Sequence, residues 1–319
     1  MSKYLVTGGA GYIGSVVAAR LLAAGHRVTV LDDLTTGVSE AVPEGADFVR
    51  GSVAQAATLL DPGYAGVLHF AASSQVAESV RDPEKYWRNN VAASLELIAA
   101  MRRADVRTLV FSSTAAVYGE PERVPITEDA RTTPTSPYGA TKLAVDHLIT
   151  GEAVAHGLAA ASLRYFNVAG AHAGHGERHD PETHLIPLVL QVARGRRPHV
   201  DVYGDDYPTR DGTCVRDYIH VADLAEAHLL ALAAARTGEH LVCNLGNGEG
   251  FTVREVIDSV RRVTGRAIPA LVRPRRPGDP AVLVASAALA RERLGWRPRR
   301  TDLDAIIADA WSFAQEETP

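Results

Sequence analysis

Thr7-Gly8-Gly9-Ala10-Gly11-Tyr12-Ile13-Gly14 is the stretch on which the reading of this chain turns. It follows a strand-like Tyr4–Val6 and opens a segment, Ile13–Ala24, whose apolar residues recur at helical spacing and which Gly25 stops. Gly8, Gly11 and Gly14 form a Gly-x-x-Gly-x-x-Gly pattern that allows a tight turn, close approach of backbone to a ligand, and tight packing of helix on strand. An ordinary strand-to-helix turn can carry the same glycines, so the surroundings decide. Working outward, strand-like Arg27–Leu31, Phe48–Arg50, Val67–Phe70, Thr108–Ser112 and Ala161–Arg164 alternate with helix-like stretches. One of these, Asn90–Ala104, is predicted to begin near Asp82-Pro83, where an N-cap candidate precedes proline. The strands are rich in Val, Ile, Leu and Phe without alternation, as strands buried on both faces are. The predicted fold is α/β, a doubly wound parallel Rossmann-type sheet over residues 1–170.

After Gly170 the texture changes. A loop rich in Gly, His and charge, Ala171 to Glu182, leads to helices near Leu185–Arg194, Ala222–Ala235, Thr252–Thr264 and Leu303–Gln315, with short strands at Val200–Tyr203 and Leu241–Leu245. No repeating strand-helix rhythm runs through this half. Residues 171–319 are therefore read mainly as a smaller C-terminal α/β substrate lobe over the carboxyl edge of the sheet, with later segments returning to the first domain.

Composition narrows the class further. Of 319 residues, 46% are hydrophobic and 22% charged, enough apolar surface to bury a core. A net charge of −5 excludes a broad nucleic-acid surface, which needs clustered positive charge. Arginines bunch at Arg194, Arg196, Arg197 and at Arg273, Arg275, Arg276, the half in which a phosphate-bearing substrate is expected. No apolar run approaches the roughly 20 residues that span a bilayer. Two cysteines, Cys214 and Cys243, make no disulfide framework and no metal spacing. With an N-terminus that runs directly into a strand, the expectation is a cytoplasmic protein without a membrane partner.

Two further features specify chemistry. Asp32 closes the second strand, where a carboxylate accepts hydrogen bonds from an adenosine ribose. It would repel a 2′-phosphate, and Asp33 beside it adds to that repulsion, so the expected cofactor is NAD. Tyr138-Gly139-Ala140-Thr141-Lys142 follows the helix-opening Ser136-Pro137, which puts Tyr138 and Lys142 one turn apart on one helical face. An ammonium there is expected to pull the phenol down from about 10 toward working pH and make it a general base. Phe111-Ser112-Ser113-Thr114 ends the fifth strand, where a hydroxyl can bridge tyrosine and substrate. A Tyr-x-x-x-Lys pair alone arises by chance; with the glycines, Asp32 and the hydroxyl run, it points to hydride transfer on an alcohol.

The glycine spacing and the Tyr-Lys pair resemble the extended short-chain dehydrogenase/reductase superfamily. Within it the chain resembles, nearly end to end, the UDP-glucose 4-epimerase family. The segments that carry this are His69-Phe70-Ala71-Ala72, Val76-Ala77-Glu78-Ser79, Asn89-Asn90-Val91, Arg164-Tyr165-Phe166-Asn167, Gly204-Asp205-Asp206-Tyr207-Pro208-Thr209, Val215-Arg216-Asp217-Tyr218-Ile219-His220-Val221 and Arg275-Arg276-Pro277-Gly278-Asp279. The resemblance implies that Thr114, Tyr138 and Lys142 are catalytic. It implies that NAD lies against Gly8, Gly11, Tyr12, Ile13 and Gly14, against Asp32, Asp33, Ser52 and Val53, and against Phe70, Ala71, Ala72 and Asn89. Ser112 and Tyr165, with Tyr138 and Lys142, would meet its reactive end. A UDP-sugar would be held by Thr114, Asn167, His184, Leu185, Arg216, Tyr218, Arg276 and Asp279, with Tyr203 at the uracil end. Leu283 would stand where the family sets the size of the sugar pocket. The implied reaction is reversible 4-epimerisation of UDP-hexoses through a 4-keto sugar, in a homodimer.

There are departures. The family's lysine after His-Phe-Ala is replaced by Ser73-Ser74-Gln75, and its Gly-Asp by Gly51-Ser52, which implies looser cofactor retention. A nucleotide-sugar 4,6-dehydratase or decarboxylase is the nearest alternative, but dehydratases carry Asp-Glu after the threonine and Thr114 is followed by Ala115-Ala116. A non-enzymatic NAD-sensing regulator would need neither Tyr138 with Lys142 nor the arginines. His172, His175, His179 and His184 match no common zinc spacing and are read as a solvated cover without metal, His184 lying near the diphosphate.

Overall fold

The computed structural model describes residues 1–276 and 278–316. Pro277 of the Arg-Arg-Pro-Gly-Asp segment lies outside the described residues. In chain order the first strands are β1 (Lys3–Thr7), β2 (Arg27–Asp32), β3 (Asp47–Arg50), β4 (Tyr64–His69), β5 (Thr108–Thr114) and β6 (Ala159–Tyr165). Then come β7 (Asn167–Ala169), β8 (Val200–Tyr203), β9 (Val215–Arg216), β10 (Tyr218–His220), β11 (His240–Leu245), β12 (Phe251–Thr252), β13 (Ala270–Arg273) and β14 (Val282–Leu283).

Seven strands form one sheet in the order β11-β6-β5-β4-β1-β2-β3, and every pairing in it is parallel. The doubly wound fold is as expected. The strand order runs outward in opposite directions from β1 and β4, so the connections that follow them leave toward opposite sides and open a crevice at the carboxyl ends, the place such sheets bind ligands. On one face, Val16, Val17 and Leu21 of the helix Tyr12–Ala23 pack with Leu224, Ala227 and Ala231 of the helix Val221–Ala234. On the other, Leu97 and Met101 of the helix Ala93–Arg103 pack with Val145 and Ile149 of the helix Pro137–His156. The second half has its own core, in which Ile186, Val189 and Leu190 meet Val256, Val260, Ile306 and Ile307.

Some expected bounds shift. Thr114 is the last residue of β5, so the strand runs past Ser112 and carries the hydroxyl on its end. The helix expected from near Asp82 does begin there: the Asp82 carboxylate accepts from Lys85 N at 3.3 Å, with Pro83 in the first turn. It is not uniform, because Trp87–Ala92 widens to a π-helix before Ala93–Arg103 resumes α geometry. Such bulges recur at functional sites. Buried Asn90 sits in this turn and reaches out of it to Ser73. β11, from the half read mainly as lobe, lies at the sheet edge in register with β6, from His240 opposite Ala160 to Leu245 opposite Tyr165. Among the described residues no helix is long and apolar enough to cross a membrane.

Gly14 makes the first helix fit against its strand: a Cβ there would run into the Gly8 carbonyl oxygen. Gly14→Ala should therefore lower stability by about 1–3 kcal/mol, as overpacking does. Denaturant unfolding at constant m-value measures it, and an unchanged midpoint would contradict the close approach.

Candidate functional site

The crevice is built first by glycine. Gly8 has φ +72°, a conformation that suits glycine, and a side chain there would overlap the Ala71 backbone. Its N–H donates to Leu31 O at 2.9 Å, and Phe70 and Ala71 N–H both donate to Thr7 O, at 2.9 and 3.1 Å. Gly11 caps the helix Tyr12–Ala23 without a side chain, so first-turn N–H groups face the crevice free for an anion. Asp32 is buried; one carboxylate oxygen accepts from Ala10 N at 3.0 Å and the other from Leu34 N at 2.9 Å. Burial pushes its pKa up, and these two donors oppose that. Exposed Asp33 accepts from Thr35 N at 2.9 Å. Ser52 is exposed, next to Gly51, whose N–H donates to Asp32 O at 2.9 Å, and Val53 is half-buried behind it. A cradle that a single Cβ would fill, with a carboxylate at the neighbouring strand end, fits a dinucleotide.

Across the crevice, Ala72 leads into Ser73, whose hydroxyl accepts from Asn89 Nδ2 at 3.1 Å. Asn90 does more than its neighbour. Its side chain accepts from Ser73 N at 2.8 Å and donates to Ser73 O at 3.0 Å and to Thr141 Oγ1 at 3.1 Å. That amide ties the loop after β4 to the helix Pro137–His156. The Asn-Asn pair was visible in the sequence, but nothing there indicated which of the two would hold the loop.

On that helix Tyr138 is half-buried beside Thr114 and met edge-on by Tyr86 at 6.4 Å between ring centres. Lys142 is 3% exposed and donates to Ser112 O at 2.8 Å. Ser112 Oγ and the Tyr165 hydroxyl are hydrogen-bonded, and burial raises the Tyr165 phenol. One expectation is corrected here: burial pushes the Tyr138 phenol up, opposed by the nearby Thr114 hydroxyl, where the sequence led us to expect a lowered value. Desolvation explains it. Lys142 is itself pulled down to about 8 by burial, and its ammonium points at the Ser112 carbonyl.

The remaining candidates fall into three groups. In the first, β9 lies between β12 and β14, with Leu283 in register with Arg216. Arg216 donates to Asp279 at 2.6 Å and to Val215 O and Pro280 O, both at 2.9 Å. Asp279, expected as a direct ligand contact, is thus first the partner that orients a guanidinium. Half-buried Asn167 and buried Tyr218 start the paired strands β7 and β10, and half-buried Leu283 packs, as Leu143 and Phe166 do, against the cluster of Val117, Tyr118 and Ile126. In the second group, the Arg276 guanidinium lies 3.8 Å over the Tyr203 ring. In the third, His184 caps the helix Leu185–Ala193.

The loop before His184 is not simply a solvated cover. His172 and His175 pair through their backbones. The imidazole Nδ1 atoms of His179 and His184 lie 3.0 and 2.6 Å from one oxygen of Glu177, and His184 Nδ1 is 3.2 Å from Glu182. Both carboxylates are largely buried. Reading the histidines alone missed them, although a repeated Glu-x-His, at Glu177–His179 and Glu182–His184, was there to see. Tyr12 of the glycine turn donates to Gly170 O at 2.6 Å and so pins the start of this loop to the cradle.

The NAD dependent epimerase/dehydratase family profile matches residues 4–246. This chain belongs to that family. It is 65% identical to the UDP-glucose 4-epimerase of Streptomyces lividans over 98% of this chain and 95% of that protein. It is 57% identical to the one from Corynebacterium glutamicum, with the same coverage. The crystal structure of UDP-glucose 4-epimerase from Brucella ovis in complex with NAD superposes with a TM-score of 0.93 at 47% identity, covering 98% of each chain. Likeness of this extent spans both halves, so the family's architecture continues beyond residue 246.

Burial pulls the His184 imidazole down, but Glu177 and Glu182 more than offset it and push it up to about 10. Any stability this pairing adds is fully present below the unfolded value of about 6.5 and lost as pH rises through about 10. In the parent protein, nuclear magnetic resonance of the imidazole should find His184 protonated at pH 8. Glu177→Gln should bring its midpoint down toward the ordinary range. A midpoint unmoved by that change would disprove the pairing.

Proposed function

We propose that this member of the family catalyses the reversible 4-epimerisation of UDP-hexoses, with NAD as a retained cofactor. The observation that carries the reading is that Tyr138, Thr114 and Lys142 come together at the carboxyl end of β5 beside the glycine cradle. The S. lividans and C. glutamicum relatives support it, as do the neighbours solved with NAD or UDP-glucose.

Gly8, Gly11 and Gly14 with the first-turn N–H groups would hold the pyrophosphate of NAD, Asp32 its adenosine ribose, and Phe70 to Ala72, Ser112 and Tyr165 its nicotinamide side. Bound there, NAD supplies reversible acceptance of hydride from the sugar C4. Tyr138 takes the proton from the 4-hydroxyl, and Thr114 beside it aligns that hydroxyl. The ammonium of Lys142 favours the phenolate against the desolvation that opposes it. Arg216 and Arg276 offer forked donors to the substrate diphosphate, with Asn167, Tyr218, His184 and Leu185 beside them and Tyr203 toward the uracil. Held by its diphosphate, the 4-keto sugar turns its other face toward the site, and Tyr138 returns the proton to the 4-oxygen as C4 regains its hydride on that face. Ala115 to Val117 follow Thr114 without a carboxylate, so nothing there drives the elimination of a dehydratase.

Exposed Val76, Val80, Trp87, Leu95 and Val154 lie on the helical stretches 76–103 and 137–156 and support a homodimer through those faces. Cys214 and Cys243 are separate buried thiols, in keeping with a cytoplasmic setting.

Tyr138→Phe removes the proton acceptor and almost no volume. Turnover of UDP-galactose should fall about 10²-fold or more, with bound NAD unchanged by absorbance of the released cofactor. Near-parental turnover would overturn the role of Tyr138.

Leu283 lines the same packed group as Tyr118 and Phe166, and it is shorter than a tyrosine. The parent enzyme should therefore accept UDP-N-acetylgalactosamine beside UDP-galactose, and Leu283→Tyr should remove the acetylated activity selectively. The ratio of the two kcat/KM values reads this. Equal loss of both would mean that Leu283 only fills space.

A further inference from the structure

Lys142 is a buried cation whose nearest groups are poor counter-ions: the Ser112 carbonyl at 2.8 Å and the Phe111 ring at 4.8 Å. A buried charge needs an opposite charge nearby. Asp146 supplies one from the next turn of the same helix face, 3% exposed. Its Oδ2 accepts from Ser113 Oγ at 3.2 Å and from Arg164 Nε and Nη2 at 3.1 and 2.9 Å. Its other oxygen is buried with no hydrogen-bond donor among the described residues. Arg164 thus holds the carboxylate by direct hydrogen bonds, and Lys142, one helical turn before it, feels its charge.

We propose that Asp146 is a positioning residue that keeps the Lys142 ammonium charged beside Tyr138, with Arg164 competing for the same carboxylate. The other titratable groups around this pair do not replace it. His69 on β4 faces Lys142, but burial drives it down to about 3, so it is neutral. His240 on β11 faces Asp146 and is also lowered by burial. Tyr138 and Tyr165 are phenols whose burial favours the neutral form. Glu128 feels the charge of Arg164, whose Nη1 donates to the Tyr118 hydroxyl at 3.0 Å, and that hydroxyl donates to Asn244 at 2.7 Å. Asp146 therefore decides the charge at Lys142, and Arg164 sets how much of its field is left over.

The inference rests on the role of Lys142 in the proposed reaction, and the test separates the two. Loss of the Lys142 proton removes the charge that favours the Tyr138 phenolate, so kcat falls on the alkaline side of its pH profile. Measured on the NAD-bound enzyme with UDP-galactose, Asp146→Asn should move that limb to lower pH by about one unit, a roughly tenfold lower kcat on the limb. Arg164→Gln should move it the other way, and Asp146→Glu should leave it near the parent position. A merely structural ion pair predicts lower melting temperatures in both variants without opposite shifts. Unmoved limbs, or shifts of one sign in both, would overturn the proposal. If Asp146→Asn does not fold, Arg164→Gln still decides by the sign of its shift. Lys142→Met tests the underlying role alone: turnover near the parent value there would remove Lys142 from the reaction.

Discussion

The backbone of Gly8 lies against the backbone of Ala71 with no room for a side chain between them, and the organisation of the site follows from that contact. Because Thr7 O accepts from both Phe70 and Ala71, the ends of β1 and β4 are tied at the point where the strand order reverses. The turn on one side then presents the start of a helix, and the loop on the other is fixed in place. From Ser73 the tie passes through Asn90 to Thr141, which stands on the helix between Tyr138 and Lys142. Hydrogen bonds and a short run of backbone so join the glycine turn to the helix that carries Tyr138 and Lys142. Geometry at one end is not independent of geometry at the other.

Burial then decides the electrostatics. Asp32, Lys142, Asp146 and Arg164 are each less than a tenth exposed, and each has partners whose number matches its charge poorly or well. Asp32 gains two backbone donors, Arg164 a carboxylate and a phenol, whereas Lys142 has one carbonyl. The least compensated of these charges is Lys142, the one proposed to act on the substrate's proton. A low-dielectric setting makes that ammonium strong in its effect and easy to discharge.

The alternating strands, the glycine turn, Asp32 and the Tyr-Lys pair were legible because each depends on local spacing: a sheet period, a helical turn, a turn that admits only glycine. What was not legible depends on distant pairing. Nothing near Asp279 indicates that Arg216 is its partner, since β9 and β14 meet only in the folded chain. The direction of the Tyr138 shift was misjudged because spacing conveys who is adjacent and not how much water is excluded. Counting histidines obscured the Glu-x-His repeat for a related reason, since a buried carboxylate is recognised only once burial is known. The widened turn at Trp87–Ala92 has no signature in apolar periodicity at all.

The sheet is not finished where its first six strands end. β6 closes at Tyr165, the chain then leaves to build β7 to β10 and their helices, and only with His240–Leu245 does β11 cover the outer edge of β6. During synthesis, then, the outer edge of the alanine-rich β6 waits unpaired while the intervening lobe emerges. Such an edge is a template for pairing with another chain, and long-range closure of this kind is slow. The order of strands that makes the crevice also makes this a protein whose nascent N-terminal half depends on being shielded until its last strand arrives.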